Sequence, residues 1–110
     1  MQKINSFYLF NNGGFVCHPG CNFIGDDGGT DTGSAGGNIS LGTGVAYNFK
    51  DHDIADGSLV ELTIGIDAGK DRTGGQYFIY DSSAPGQAHY EITGTTLNST
   101  VNFQGVQTAS

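Results

Sequence analysis

The chain has 110 residues, of which 36% are hydrophobic, so we expect one small domain over residues 1–110 rather than several domains. Eleven acidic side chains against four basic ones give a formal net charge of −7. That charge disfavours nucleic acid and anionic membranes as electrostatic partners. We therefore expect a neutral ligand such as a glycan, or a cation, and neither a nucleic-acid nor a membrane partner.

Apolar and polar residues alternate with a period of two, and no window has helical spacing, which predicts an all-β chain. The clearest strand is residues 59–67, where Val60, Leu62 and Ile64 alternate with polar residues. Seven or eight short strands with Gly, Asp and Asn turns predict an antiparallel β-sandwich with Greek-key connections, and a small closed barrel is the alternative. The other strands are predicted over residues 3–10, 15–24, 36–41, 45–49, 76–80, 89–93 and 96–104, and residues 25–37 are predicted to form a surface loop.

The N-terminal segment begins Met1-Gln2-Lys3-Ile4 and continues directly into strand-like sequence. It lacks the basic, apolar and small-residue regions of a signal peptide, and no apolar stretch is long enough to span a bilayer. We therefore expect a protein that is cytoplasmic or secreted without a classical signal, or a mature form with an added Met. The sequence leaves the localisation open.

Two cysteines flank the segment His-Pro-Gly. The central Pro19-Gly20 favours a tight turn that would bring Cys17 and Cys21 together, so a disulfide is the first expectation. Two reduced thiols and half of a metal site remain open as alternatives.

Aspartates are concentrated in two glycine-containing stretches. Ca²⁺ is held by six to eight oxygen ligands in flexible loops, so a bound Ca²⁺ is one interpretation. Neither stretch has the spacing of an EF-hand, and aspartates that merely form turns are the other interpretation. The candidate metal ligands are Asp26, Asp27 and Asp31 in the first stretch and Asp51, Asp53 and Asp56 in the second.

Polar residues that could bind a sugar follow the clearest strand and the strand of residues 76–80. A sugar site needs directional polar groups and an aromatic face, and with no Trp the face would have to come from Tyr or Phe. A self-paired polar turn is the alternative for residues 70–72. The candidate ligand-binding residues are Asp67, Lys70, Asp71, Arg72, Tyr80 and Asp81.

Catalytic motifs are missing from the sequence. There is no Gly-x-Ser-x-Gly, no His-Glu-x-x-His, and no glycine-rich loop that leads into a helix and could hold phosphate. Among the histidines, only His18 lies next to a nucleophile, Cys17. We therefore expect that the protein is not an enzyme.

The segment Gly94-Thr-Thr-Leu-Asn and several others from Gly37 onward resemble a largely uncharacterised family of small β-rich proteins in fungi and streptomycetes. The resemblance covers about 90 residues and implies a β-rich fold, with no catalytic motif to transfer. The Cys17–Cys21 segment and the loop after it depart from the family pattern. The matching segments are Asn38-Ile-Ser-Leu-Gly, Ala55-Asp-Gly-Ser, Ala68-Gly-Lys-Asp, Tyr77-Phe-Ile-Tyr, Ala88-His-Tyr, Ile92-Thr-Gly-Thr-Thr-Leu-Asn and residues 5–16, and Gly-Thr-Thr-Leu-Asn is the most specific of them.

These observations predict a small lectin-like, carbohydrate- or ligand-binding module that acts through acidic, glycine-rich loops, and a homo-oligomer is one expectation for its assembly. One alternative is a membrane-active, toxin-like β-sandwich in which Phe7 to Phe10 faces lipid. Another is a structural protein whose edge strands pair into oligomers.

Overall fold

The computed structural model describes residues 1–108, which form ten strands and one short 3₁₀ turn, Phe49–His52. The strands are β1 (Lys3–Ile4), β2 (Ser6–Gly13), β3 (Cys17–Ile24), β4 (Thr30–Thr32), β5 (Thr43–Asn48), β6 (Leu59–Ile66), β7 (Arg72–Thr73), β8 (Phe78–Tyr80), β9 (Gly86–Gly94) and β10 (Ser99–Thr108). No helix in residues 1–108 has the length and apolar character to cross a membrane.

Two sheets pack face to face. One has the order β1-β8-β6-β3-β4 with β7 paired to β6, and the other has the order β10-β9-β2-β5. The all-β sandwich predicted from the sequence is confirmed. The sheets are mixed rather than wholly antiparallel, because β1 runs parallel to β8 and β2 runs parallel to β9.

The core lies between the sheets and is built from the alternating inward residues of each strand. In β6, the clearest predicted strand, Val60, Leu62 and Ile64 are fully buried while the residues between them are partly exposed. On the facing sheet, the Phe7 ring makes edge-to-face contacts with the rings of Phe49 and Tyr90 at centroid distances of 5.1 and 6.0 Å. Aromatic rings therefore supply much of the buried apolar surface that a glycine-rich chain otherwise lacks.

The strand β2 is central in its sheet, between β9 and β5. Phe7 and Leu9 are fully buried against the opposite sheet, and only the alternate residues Tyr8 and Phe10 are partly exposed. The expectation that residues 7–10 form a lipid-facing strand is therefore wrong, since the apolar side chains with the largest burial point into the core.

The segment of residues 17–21 is part of the extended strand β3 and does not form the predicted tight turn. Cys17 pairs with Ile66 of β6 and Cys21 pairs with Leu62, so the two cysteines lie four strand positions apart. Four positions correspond to about 13 Å, whereas disulfide-bonded Cα atoms lie within about 7 Å. Both thiols are free and buried, and the predicted disulfide Cys17–Cys21 is wrong.

Proline has no N–H to donate to a strand ladder. Pro19 is tolerated in the middle of β3 because its backbone faces residues 33–39, which form no regular ladder, and not β6. Its carbonyl accepts a hydrogen bond from the Gly36 N–H at 2.8 Å, on the side of β3 away from β6. On that side, residues 33–39 run beside β3 without forming a regular ladder. The strand predicted over residues 36–41 is therefore absent, and a single bridge between Ile39 and Cys17 is found in its place. No ladder hydrogen bond to β6 is lost at the proline.

Candidate functional site

The strand directions gather the loops at two opposite ends of the sandwich. The Leu97 end consists of residues 14–16, 37–42, 67–71 and 95–98. The Asp56 end consists of residues 25–29, 49–58 and 81–85. The ends follow from the register, since β2, β6 and β9 run toward the Leu97 end while β3, β5 and β10 run away from it.

Backbone hydrogen bonds join three of the four loops of the Leu97 end into one surface, and the bridge between Ile39 and Cys17 attaches the fourth, residues 37–42. The Asp67 N–H donates to the Val16 carbonyl at 3.0 Å, and the Lys70 N–H donates to the Thr96 carbonyl at 3.0 Å. The Gly14 N–H donates to the carbonyl of Gly94 at 3.0 Å. Loops tied to one another in this way hold their exposed side chains in a common arrangement.

The buried side chain of Asn11 sits beneath this surface. Its amide nitrogen donates to the carbonyls of Phe15 at 2.7 Å and Ile39 at 3.0 Å, and its amide oxygen accepts from the Gly13 N–H at 2.9 Å. The residue is fully buried, so these three bonds satisfy loop groups that water cannot reach. Asn11 thereby fixes the first two loops of the Leu97 end relative to β2.

Three large apolar side chains project from the Leu97 end into solvent. Leu97 is 65% exposed, Leu41 is 61% exposed and Val16 is 37% exposed. They belong to three different loops, and they are half of the six large hydrophobic residues that are exposed in residues 1–108. Single exposed apolar residues are ordinary, whereas several on neighbouring loops mark an interaction surface.

Two tight turns present the leucines. Leu41 is the second residue of the turn 40–43, closed by a 3.1 Å hydrogen bond from the Thr43 N–H to the Ser40 carbonyl, and its third residue, Gly42, has a φ of +84°. Thr96 and Leu97 form the tip of the β9–β10 hairpin. These positions are set by backbone geometry that does not require an apolar side chain.

The motif Gly-Thr-Thr-Leu-Asn, on which the family resemblance chiefly rests, is this same hairpin tip. Gly94 has a φ of +103°, and a Cβ there would lie 2.3 Å from the Asn98 carbonyl oxygen, so only glycine fits the position. The structure thus gives the motif a geometric role in forming the turn that exposes Leu97.

Charge is distributed unequally between the two ends. The Asp56 end and the strand ends beside it carry seven of the eleven acidic side chains and two of the four basic ones. The Leu97 end, together with the side chain of Arg72 that reaches it from β7, carries two acidic and two basic side chains, Asp67 and Asp71 against Lys70 and Arg72. The apolar loops therefore lie at the end with no formal net charge, opposite the acidic end.

The six predicted ligand-binding residues do not form one site. Four of them, Asp67, Lys70, Asp71 and Arg72, lie at the Leu97 end, whereas Tyr80 and Asp81 lie at the Asp56 end. Tyr80 is buried and packs edge-to-face on Phe49, so its ring is not available to stack on a ligand.

Structural hydrogen bonds occupy three of these six side chains. The Asp71 carboxylate accepts from the Ile66 N–H at 3.0 Å, and the Arg72 guanidinium donates to the Ser99 hydroxyl at 2.8 Å and the Leu97 carbonyl at 3.3 Å. The Arg72 side chain thus braces the hairpin tip instead of pairing with Asp71. The Asp81 carboxylate accepts from the N–H and hydroxyl of Ser83, and these bonds lower the pKa of its carboxyl group.

Three of the six predicted metal ligands accept structural hydrogen bonds. The Asp56 carboxylate accepts from both the N–H and the hydroxyl of Ser82, while Asp27 accepts from the Gly29 N–H and Asp31 from the Thr32 N–H. Within residues 1–108, no three side chains of the metal-ligating types converge. Calcium binding stays a prediction without a formed cluster. Five of its candidate ligands lie in two loops of the Asp56 end and the sixth lies in β4: Asp26 and Asp27 in residues 25–29, Asp51, Asp53 and Asp56 in residues 49–58, and Asp31 in β4.

A serine–histidine contact was not foreseen from the sequence. The Ser34 hydroxyl lies 2.6 Å from Nδ1 of His52, whose ring stacks on Tyr47 at a centroid distance of 4.0 Å. The Tyr47 hydroxyl donates to the Ser34 carbonyl at 2.7 Å. Because 18 residues separate Ser34 from His52 in the chain, no local pattern could have revealed the pair. These contacts fasten the segment beside β3 to β5.

A shallow groove of about 330 Å³ lies on the outer face of the first sheet, next to the Leu97 end. His18, Thr63 and Thr73 line it, together with the backbone of Gly65, over which the imidazole of His18 lies. Asp71 and Arg72 also line the groove.

The buried thiols lead to a prediction on chemical reactivity and alkaline stability. Burial raises the pKa of Cys17 to about 11 and that of Cys21 to about 12, from an ordinary value of 9.0. Because only the thiolate is nucleophilic, a thiol reagent at pH 8 should modify neither cysteine in the folded protein and both in denaturant. Rapid modification of the native protein would contradict the burial.

The same pKa shifts determine whether the free energy of unfolding rises or falls with pH in the alkaline range. The folded-state pKa values lie above the unfolded value, so the stabilisation is complete below about pH 9 and is lost as the pH rises toward 11 to 12. The double variant Cys17→Ala, Cys21→Ala should show a flatter decline in unfolding free energy between pH 8 and 11. Some decline remains, because burial also raises the pKa of Tyr47 and Tyr90.

Comparisons of the sequence with protein-family models and with curated proteins found no match. The resemblance to the fungal and streptomycete family therefore stays a prediction.

Comparison of the fold found similar solved structures. Pneumolysin has a TM-score of 0.47 at 16% identity, with 91% of this chain and 23% of that chain covered. A Gram-negative toxin has the same TM-score, identity and coverage of this chain, with 22% of that chain covered. Listeriolysin O has a TM-score of 0.42 at 11% identity, with 96% of this chain and 22% of that chain covered. The chain thus spans less than a quarter of the length of each.

The lectin-like, carbohydrate-binding function predicted from the sequence is wrong, since four of the six residues assigned to its site are buried or held by structural hydrogen bonds. The separation of the six predicted ligand-binding residues between the two ends removes its structural basis as well. The expectation that a membrane partner is excluded is not supported either. The chain is a β-sandwich whose exposed apolar loops, and not its acidic loops, form the candidate site.

Proposed function

We propose that the protein binds peripherally to neutral lipid surfaces through the Leu97 end. The observation that carries the proposal is the exposure of Leu97, Leu41 and Val16 on three hydrogen-bonded loops of one end. Loops that present apolar side chains at the tip of a rigid sandwich can bury them in the interface of a bilayer while the strands stay in water.

The energy available from these side chains suits reversible binding. Transfer of a fully exposed leucine out of water contributes about 2 kcal/mol, so three partly exposed side chains supply roughly 3–5 kcal/mol. This free energy is smaller than a stably anchored protein needs, and it is comparable with the free energy of weak interfacial binding. We expect binding that is measurable only at high lipid concentration.

The charge distribution favours zwitterionic over anionic lipid. The Leu97 end has two acidic and two basic side chains, while the acidic residues concentrate at the opposite end. With the Leu97 end toward the bilayer, the acidic end points away from the surface. An anionic surface would still repel a chain of net charge −7 at low ionic strength.

The test is co-sedimentation with phosphatidylcholine vesicles over a series of lipid concentrations. The double variant Leu41→Ser, Leu97→Ser should lower the partition coefficient at least about tenfold, because both apolar tips are lost. Addition of phosphatidylserine should weaken wild-type binding at low salt and much less at high salt. Dye release from the same vesicles shows whether bound protein also disrupts the bilayer.

Tyr77→Ser is the matched control, because Tyr77 is as exposed as Val16 but lies outside the Leu97 end. It should leave the partition coefficient unchanged. Equal losses in the control and the double variant, or no binding of the wild type at any lipid concentration, would refute the proposal.

A further inference from the structure

The outer edge of β10 is the longest unpaired strand edge in residues 1–108. The strand pairs with β9 on one side and with no strand on the other. All ten of its residues, Ser99–Thr108, are uncharged and none is proline. Proteins commonly protect exposed edges with lysine, proline or very short strands, because an unprotected edge can pair with another strand.

Apolar side chains next to this edge are incompletely covered. Phe103 packs against Phe78 and Tyr90 at centroid distances of 5.9 and 5.1 Å, yet it remains 42% exposed. Val101 and Val106 face the same way and are also only partly buried. Apolar side chains that pack on the core are therefore partly exposed to solvent along the inner side of β10.

A β-bulge divides the strand. The register with β9 shifts between Phe103 and Val106, and Gly105 lies in this bulge with a φ of +97°. A bulge disturbs pairing locally, so residues 104–106 are unsuited to a new ladder. The register of Ser99–Phe103 with β9 is unbroken, and this half of the edge stays regular.

The other sheet edges lack this combination. The edge strand β1 has two residues, one of them Lys3, and β4 has three residues, one of them Asp31. The edge strand β5 is also uncharged, but it has six residues and its large inner side chain, Tyr47, is fully covered. Among these sheet edges of residues 1–108, only β10 combines an uncharged edge strand with a partly exposed aromatic ring.

We propose that a second copy of this chain docks on β10, with residues 99–103 of the two copies paired antiparallel about a two-fold axis. The pairing would join the two four-stranded sheets into one sheet of eight strands. It would also cover the exposed part of Phe103 in each copy.

The lack of charge on this edge selects a second copy as the occupant, because a two-fold axis lets both copies pair the same unprotected strand. The uncharged edges meet without repulsion, although each copy carries a net charge of −7. The ladder is short, so the dimer is weak and dependent on concentration.

The proposal is tested without lipid by sedimentation equilibrium of the full chain from about 10 µM to 1 mM, a range typical of weak association. The weight-average mass should rise from the 11.5 kDa of the monomer toward twice that value. The variants Thr100→Lys and Thr100→Glu place a charge on the exposed face of the paired segment, and each alone should remain monomeric. An equimolar mixture of the two should recover the dimer, because opposite charges then meet.

Ala46→Lys is the matched control. It places the same charge on an exposed position of β5, at the opposite edge of the same sheet, and should leave dimerisation unchanged. A constant monomer mass up to 1 mM, dimerisation that survives both Thr100 substitutions, or loss of the dimer in Ala46→Lys would each overturn the proposal. Circular dichroism of each variant tests whether the fold is intact. If Thr100→Lys is unfolded, Thr100→Glu alone serves as the variant that should remain monomeric.

This inference does not depend on lipid binding. The monomeric Thr100 variants keep the three apolar side chains of the Leu97 end, so they should still bind vesicles. The Leu41→Ser, Leu97→Ser variant keeps β10 and should still dimerise.

Discussion

Replacement of Asn11 by aspartate should lower the free energy of unfolding at pH 7 by about 3–5 kcal/mol, because a buried carboxylate would face two carbonyl oxygens. Asn11 is fully buried and donates both amide protons, to the carbonyls of Phe15 and Ile39. Aspartate has nearly the same shape but no proton to donate when ionised. Small domains have only about 5–15 kcal/mol of stability, so the variant is close to unfolding.

The pH dependence of this variant has a definite sign. Burial and the two carbonyls raise the pKa of the introduced carboxyl group above its unfolded value, so the folded state takes up a proton that the unfolded state lacks. The loss of stability therefore deepens as the pH rises through the folded-state pKa and is smallest in acid. Urea unfolding at pH 4 and pH 7, compared with the wild type, measures the difference.

Asn12→Asp is the control for Asn11→Asp. Asn12 is the next residue of β2, is exposed, and makes only a 3.3 Å hydrogen bond to the Glu91 carboxylate. Its substitution should cost no more than about 1 kcal/mol. Equal effects at the two positions would show that the buried hydrogen bonds of Asn11 do not hold the loops.

A second substitution of Asn11 connects stability with the candidate site. In Asn11→Ala, which carries no charge, the segments around Phe15 and Ile39 lose their link to β2. Val16 and Leu41 follow those segments, so weaker vesicle binding is expected even where the fold persists. Hydrogen exchange of the Gly13 N–H, which donates to the Asn11 side chain, reports the loosening directly.

Phe7→Ala is expected to destabilise the fold by about 3–5 kcal/mol, the cost of a large cavity in a core. The ring is fully buried and meets those of Phe49, Phe78 and Tyr90 edge-to-face at 5.1 to 6.2 Å. With only 36% hydrophobic residues, the chain has few side chains that could move into the space. Thermal and urea unfolding should both shift strongly.

Phe10→Ala is the matched control, since it removes the same ring from the same strand. Phe10 points to the outer face of β2 and is partly exposed. The expected loss is about 1 kcal/mol, because little cavity is formed at a surface position. Similar losses for Phe7 and Phe10 would contradict the burial pattern of β2.

The strands that the sequence predicted best are those whose pattern is local. Residues 59–67 alternate strictly, and the structure has β6 at Leu59–Ile66. The hairpin expected from residues 89–104 is present as β9 and β10. Period-two burial and turn residues are properties of neighbours in the chain, so a single sequence is enough to show them.

The cysteine segment shows where local reasoning failed. Pro19-Gly20 is a turn signal by composition, but β6 on one side and residues 33–39 on the other hold the segment extended. Tertiary hydrogen bonding overrode the local preference. For that reason the predicted disulfide became two buried thiols on one strand.

The sequence by itself determined the all-β class, the alternating core and the acidic charge, because each depends only on composition or on neighbouring residues. The tertiary structure alone decided which loops share an end. Val16, Leu41 and Leu97 lie far apart in the chain, and only the strand register gathers them on one surface. The same register separates Tyr80 and Asp81 from Asp67 and Arg72, since strand direction, which no local pattern encodes, sets the end to which each loop belongs.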